Sequence, residues 1–282
     1  MAMELSEASL SVEGRPHPAL ADYVESYHGY RHRLDAPGIH HGLPSSSLTM
    51  VIAFDEPIDV GWLNDPSSRD KYWTTVAGLH ITPAGIHDHG RQHGIQLELT
   101  ALGARALCGV PAAALQGEMV ELGVVIGARG VRLYEEVARA KTWEERFRSL
   151  DQTLLWIVGD HEPAPRFARR EIAWAWECLQ RRQGDIRVQT LADQVGWSRR
   201  HFSQQFRAEL GIAPKEAARI MRFQASHRLI RAGGAGLAEV AAGCGFADQA
   251  HLTREWRELA GYSPTRWRRD ELRFVQDGAD ER

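Results

Sequence analysis

Arg199, Arg200, Ser203, Gln204 and Arg207 fall within nine positions of the chain, and Gln249, His251, Thr253 and Arg254 fall within six. A guanidinium fork matches the paired acceptors O6 and N7 of guanine, and a side-chain amide matches N6 and N7 of adenine. Hydroxyls and further arginines suit phosphate oxygens, which fix register without reading sequence. A set of donors like this serves recognition rather than bond making. A second group, His80, His87, His89 and His93 with Glu98, has metal-ligating types. On a strand, His87-Asp-His89 would put both imidazoles on one face. With His93 and Glu98 they could then hold zinc or iron. The stretch is rich in Gly and charge, however, and reads as a loop, where solvated histidines are the ordinary outcome. No nucleophile–base pair and no phosphate-cradling glycine loop is recognisable. The expectation is therefore a protein that is not an enzyme and needs no cofactor. Trp62, Tyr72 and Trp73 could line a small-molecule pocket or simply fill a core.

The elements that must carry the two donor clusters are visible as a repeat. His201 and His251, Phe206 and Trp256, Gly211 and Gly261, and Pro214 and Pro264 are each 50 residues apart. In the first copy, Thr190-Leu-Ala-Asp193 reads as a capping box opening a short helix. Gly196 ends that helix. Ser198 caps the next one, on which Phe202 and Phe206 share a buried face at i, i+4. In the second copy Leu237 and Val240 lie inward, Gly243 and Gly245 mark the turn, Asp248 caps, and Leu252 and Trp256 point inward. Ser263-Pro264 opens a further helix, whereas the first copy has Ala213 before its Pro and lacks that cap. Helix, Gly turn, helix is the helix-turn-helix signature. Pro214 to about Arg231 reads as one joining helix, long enough to hold two recognition helices near the B-DNA repeat.

This pattern resembles the DNA-binding domain of the AraC/XylS family of bacterial transcription regulators, over about residues 168–270. The most specific part is Gly245-Phe-Ala-Asp-Gln-Ala-His-Leu-Thr-Arg254 followed by Gly261-Tyr-Ser-Pro-Thr-Arg-Trp267. Trp256 stands where the family usually has Phe. Gly233-Gly-Ala-Gly236 stands where the second unit usually opens with a better cap. By the resemblance, Arg200, Ser203, Gln204, Gln249, His251, Thr253 and Arg254 take base- or phosphate-facing positions. Arg199 and Arg207 are read as phosphate contacts, and His251 could instead pack locally. The resemblance also implies promoter or operator DNA as partner, and RNA polymerase if the protein activates. It further implies a homodimer, and a cupin-like N-terminal barrel that takes an effector the sequence does not name. The rival reading is a metal-binding cupin using the His80–His93 cluster, fused to a DNA-binding domain.

Composition agrees. The chain has 282 residues and a formal charge of −3, unevenly spread. Residues 1–165 hold 13 Lys and Arg against 22 Asp and Glu, whereas residues 166–274 hold 20 against 12. A basic segment behind an acidic one points to a polyanion partner for the basic one alone. Three well-separated cysteines, no long apolar run and no secretory leader favour a cytoplasmic protein with no membrane partner.

Residues 1–17 are expected to be poorly ordered, and Pro18–His28 to form a short helix. Strands are expected at Leu48–Phe54, Ile58–Trp62, Tyr72–Val76, Leu79–Ile81 and Ile95–Thr100, making a small barrel or sandwich. Helices follow at Ala104–Leu107, Ala112–Leu115, Val131–Ala140 and from Thr142. The last carries a stripe of Trp143, Phe147, Leu150 and Leu154 that could pack on the sheet or form a subunit interface. The fold class is α+β: an N-terminal β domain with a helical extension (1–162), a linker around Pro163–Pro165 (163–167), an all-helical domain with two helix-turn-helix units (168–274), and a tail (275–282).

Overall fold

The structure, a computed structural model, describes residues 9–33, 38–159 and 169–269. The expected linker 163–167 and tail 275–282 lie outside them. The strands are β1 (Leu10–Gly14), β2 (Val24–Arg33), β3 (Gly38–Gly42), β4 (Leu48–Ala53), β5 (Ile58–Trp62), β6 (Asp70–Tyr72), β7 (Thr74–Ala77), β8 (Ala84–Asp88), β9 (Arg91–Leu99) and β10 (Met119–Glu121). They form a six-stranded sheet in the order β1-β2-β9-β4-β7-β10 and a four-stranded sheet in the order β3-β8-β5-β6.

The six-stranded sheet has two different faces because strand side chains alternate. Leu48, Met50 and Ile52 of β4 and Ile95, Leu97 and Leu99 of β9 are fully buried against helices. Their neighbours Thr49, Val51, Gln92 and Gln96 face the other way, into a cavity also lined by the four-stranded sheet.

The helices after the sheets are α1 (Ala101–Cys108), α2 (Leu122–Ile126), α3 (Ala128–Arg139) and α4 (Trp143–Gly159). The backbone N–H of Glu145 on α4 donates to Thr142 Oγ1 at 3.2 Å, and the Glu145 carboxylate accepts the Thr142 N–H at 3.1 Å, a reciprocal cap. The stripe on α4 packs on the protein's own sheet. Gly14 of β1 and Gly29 of β2 leave room for the rings: a Cβ at Gly29 would sit 2.6 Å from Trp143, and one at Gly14 3.0 Å from Phe147. Leu150 and Leu154 are fully buried beneath them. Arg146 is clamped between the Phe54 and Trp143 rings and donates to His93 Nε2 at 2.7 Å.

Four expectations are corrected. Leu10–Gly14 is an ordered strand paired with β2, although the first 17 residues were expected to be disordered. Pro18–His28 is not a helix: a single 3-10 turn at Pro18–Leu20 gives way to β2, in which Tyr27 pairs opposite Leu97 and is buried. Leu79–Ile81 joins no ladder. There Gly78 presses so close to Leu115 that a Cβ would meet its carbonyl oxygen at 2.0 Å. The stretch His80–His93 is not a loop throughout, since it contains β8 and the start of β9.

The C-terminal part is helical: α5 (Arg170–Arg181), α6 (Val188–Gln194), α7 (Arg199–Leu210), α8 (Pro214–Ala232), α9 (Leu237–Gly243) and α10 (Gln249–Ala260). Two pairs, α6 with α7 and α9 with α10, are each joined by a tight turn in which a glycine takes positive φ, Gly196 at 72° and Gly245 at 72°. Helix α8 belongs to two cores. Its Ile220 and Met221 pack with α5–α7 in a core continuous with the N-terminal domain, while Phe223, Ala225 and Ile230 pack with α9 and α10.

Candidate nucleic-acid interface and ligand cavity

Helix α7 starts where Ser198 Oγ accepts the His201 N–H at 3.2 Å, and α10 where Asp248 Oδ1 accepts the His251 N–H at 2.6 Å. Both caps are legible in sequence. The expected Thr190 cap is not formed: α6 begins three residues earlier than that cap implies and encloses Thr190, with Arg187 at its N-cap position. Phe202, Phe206, Leu252 and Trp256 are fully buried. In the second core the Trp256 Nε1–H donates to Ser226 Oγ at 2.8 Å, and Ser226 Oγ–H donates to the Phe223 carbonyl at 2.7 Å. The larger indole at position 256 thus brings a polar atom with a partner waiting for it.

With those rings inward, the opposite faces carry the donors. Arg199, Arg200, Gln204, Arg207, Gln249 and Arg254 are exposed, and Ser203 and Thr253 are half-buried. Thr253 Oγ1 donates back to the Gln249 carbonyl at 2.9 Å. His251 is held locally: its Nδ1 accepts the Ala247 N–H at 3.2 Å, and its ring meets Phe246 edge-on at 5.4 Å. Its Nε2 is 3.5 Å from Glu255.

Both helix pairs are tied to the N-terminal domain. Arg105 of α1 grips Glu209 near the end of α7 through two hydrogen bonds, at 2.7 and 2.9 Å. His41 of β3 stacks on Tyr262 with ring centroids 4.0 Å apart, and its Nδ1 lies 2.8 Å from the Ala260 carbonyl, which can only accept. The Ser46 N–H donates to Gln224 on α8 at 3.0 Å. None of these ties was signalled in the sequence, because each joins residues more than 100 positions apart with no pattern between them.

Behind β3 lies the cavity between the sheets, of about 720 Å³. Its floor is polar, with His28, His32, Thr49, Thr75, Gln92 and Gln96 from the six-stranded sheet. Its roof is mostly apolar, with Ile58, Val60, Trp62, Ala84 and Ile86 from the four-stranded sheet. Of the three aromatic candidates, Trp62 lines it and donates Nε1–H to the Gly117 carbonyl at 2.8 Å. Tyr72 instead packs under β5 with its hydroxyl on the Met119 carbonyl, and Trp73 is exposed against Tyr134. Arg231, at the end of α8, reaches the cavity mouth from the helical domain.

The histidines do not converge. His80 is buried in the cavity wall, His89 donates to Asp59, and His93 lies between Asp55 and Arg146. Asp59 also takes both prongs of Arg69, which holds its carboxyl far below the usual carboxylate range. Among the described residues no group of three or more His, Cys, Asp or Glu is placed to hold a metal ion. His87, His89 and His93 fail as a set because both ring nitrogens of His93 are taken, by Asp55 and Arg146. No described helix is long and apolar enough to cross a membrane.

Residues 191–270 match the family model of a helix-turn-helix domain. Over 38% of this chain and 94% of the other, the protein is 33% identical to the DNA-binding domain of AdpA, the global transcriptional factor, solved with a target DNA (TM-score 0.33). The C-terminal domain belongs to the AraC/XylS family. The C-terminal domain of AraT, a response regulator from Geobacillus stearothermophilus, is 21% identical over 36% of this chain and 85% of that one (TM-score 0.34). ToxT from Vibrio cholerae O395 is 10% identical over 88% of this chain and 97% of that one, with a TM-score of 0.50. That likeness concerns fold: a β-rich N-terminal region followed by a helical C-terminal domain. No curated protein sequence matches the chain. The AraC/XylS domain accounts for the doubled pattern, and it is a transcription-regulating, DNA-binding type.

Proposed function

We propose that the protein is a sequence-specific transcription regulator that binds promoter or operator DNA through two helix-turn-helix units. The observation that carries this reading is the pairing of two capped helices, α7 and α10, whose buried faces hold aromatic anchors and whose free faces offer arginines and glutamines. Arg200, Ser203, Gln204, Gln249, Thr253 and Arg254 are assigned to base edges or phosphates, and Arg199 and Arg207 to phosphates. His251 is assigned to stiffening the second turn. Residues 168–274 form the DNA-binding domain, and residues 1–162 sense and dimerise. Two facing sheets around a cavity of about 720 Å³ support a cupin-like effector domain. Val124, Val131 and Trp156 stay exposed on α2, α3 and α4 and suit a homodimer contact. Contact with RNA polymerase follows only if the protein activates.

The test is selection of bound DNA from a random library by the full chain. The expected product is an asymmetric site with two segments about one helical turn apart per monomer. Recovery of no enriched sequence sinks the reading.

A further inference from the structure

The cavity's occupant can be narrowed from the hydrogen-bonding state of its walls, an inference that rests on the effector role proposed above. His80 is buried, with 7% of its surface exposed, on the wall beside Trp62, whose ring centroid is 4.6 Å away. Its Nδ1 lies 3.0 Å from the Gly78 carbonyl. A carbonyl accepts and never donates, so Nδ1 carries the ring proton and Nε2 is left as a bare lone pair. Among the described residues that Nε2 has no partner. An enclosed acceptor without a donor is destabilising; the atom has almost no accessible surface, so a donor in the cavity meets it when the ring shifts toward the cavity and then removes that cost. Burial also pushes the His80 pKa down, which keeps the ring neutral and the lone pair open.

On β8, Asp88 is only 4% exposed and lines the same cavity. Among the described residues its one hydrogen-bond donor is the Gly90 N–H at 3.3 Å, a weak contact for a carboxylate. A second anion beside it would meet a like charge in a poorly solvated place. Among the described lining residues Arg231 is the one permanent cation, and it is exposed at the mouth rather than inside. The walls therefore hold two enclosed acceptors at different places, with apolar roof between, while the floor residues Thr49, Thr75, Gln92 and Gln96 can donate or accept.

We propose that the cavity takes an uncharged or cationic amphipathic molecule, with hydroxyl or amino donors at separated points of an apolar frame, and disfavours a carboxylate of the same frame. Asp88 and the His80 Nε2 accept from those donors, Trp62 and Ile86 cover the frame, and Gln92 and Gln96 adapt to either polarity.

The test uses the full chain and three probes of one length: decane-1,10-diol, decane-1,10-diamine and decanedioate. Binding is read by Trp fluorescence and calorimetry. The diol and diamine are expected to bind about tenfold or more tightly than the dianion, the scale of one unmet polar group or like charge. Asp88→Asn, nearly isosteric, should narrow that gap by strengthening decanedioate binding. His80→Phe should weaken the diol about tenfold while leaving the fold intact by circular dichroism. If His80→Phe does not fold, the Asp88→Asn result decides alone. Equal or tighter binding of decanedioate, or no binding by any of the three, overturns the assignment. DNA selection on the same preparation is independent of this outcome, so loss of the ligand class and loss of the regulator reading are told apart.

Discussion

Arg105 and Glu209 face each other across 104 positions of chain, with Nε on Oε1 at 2.7 Å and Nη2 on Oε2 at 2.9 Å. The pair joins α1, which continues directly from the β9 strand, to the last turn of α7. Glu209 is nearly buried and Arg105 partly so. Two parallel bonds fix orientation as well as distance. The first recognition helix is therefore held at a set angle to the sheet domain. Removing one partner strands the other charge. Arg105→Ala is expected to lower stability by about 3 kcal/mol, the low end of the range for breaking a buried pair. Arg105→Ala with Glu209→Leu should recover part of that loss. Chemical denaturation of the original protein, Arg105→Ala, Glu209→Leu and the double variant measures both. An additive double variant would show that the two side chains act separately.

Arg200 and Arg207 lie two turns apart on α7 but are assigned different jobs. Arg200→Ala is expected to cost about 1–3 kcal/mol on the selected site and to relax preference at one base pair. Arg207→Ala should weaken all sequences alike and flatten the salt dependence by about one unit of slope. Binding titrations on the selected site, on single-base variants and at several salt concentrations separate the two. The same loss on every sequence for Arg200→Ala would make it a phosphate anchor.

His93 gives a pH dependence of definite sign. Its Nε2 faces Arg146 at 2.7 Å, and its Nδ1 lies 2.8 Å from Asp55. A guanidinium only donates, so Nε2 must be unprotonated. Burial outweighs the opposing Asp55 bond and holds the pKa below the ordinary imidazole value, and the Arg146 charge adds to it. A folded pKa below the unfolded one means that the unfolded chain binds more protons between the two values. Stability should thus be full above about pH 6.5 and fall as pH drops toward the depressed value. His32 and His80 are shifted the same way by burial and add to the slope. The His93→Gln protein should melt with a shallower decline in Tm from pH 7.5 to pH 5. An unchanged decline would assign the slope to the other two.

How much of this was readable in the chain depends on whether a signal was local. Ser198, Asp248, Gly196 and Gly245 sit at caps and turns whose chemistry is complete within four residues, and all four are used as expected. Ile58–Trp62 and the strand at Leu48 are rich in β-branched and apolar residues and were equally plain. The Gly38-Ile-His-His-Gly42 strand was missed because nothing in it favours a strand over a loop; its pairing with β8 makes it one. For the same reason His80–His93 read as a loop. Which face of a strand lines a cavity depends on its partners, so His28, His32 and Asp88 gave no sign of sharing one space with Trp62. The Thr190 box was a sound local signal that lost to a helix starting earlier, where Val188 packs against the core.

Strand β3 offers a direct route from cavity to DNA. His40 lines the cavity, while the next residue, His41, points the other way and stacks on Tyr262 beyond the end of α10. Alternation on a strand makes this an obligatory pairing of opposite faces. A ligand that shifts β3 by a fraction of an ångström must move or break the His41–Ala260 bond, whereas α7 is held separately through Arg105. Ligand can bias the second recognition helix only by as much as it prefers one β3 position over another. His41→Ala is expected to leave probe binding in the cavity within about twofold, well under one 1.4 kcal/mol decade. It should abolish the effect of that probe on operator affinity. Operator titrations with and without decane-1,10-diol, on the original and the His41→Ala protein, measure the coupling. Equal coupling in both proteins would remove the His41 contact from the route and shift it to α8, through Arg231 at the cavity mouth or the Ser46–Gln224 bond.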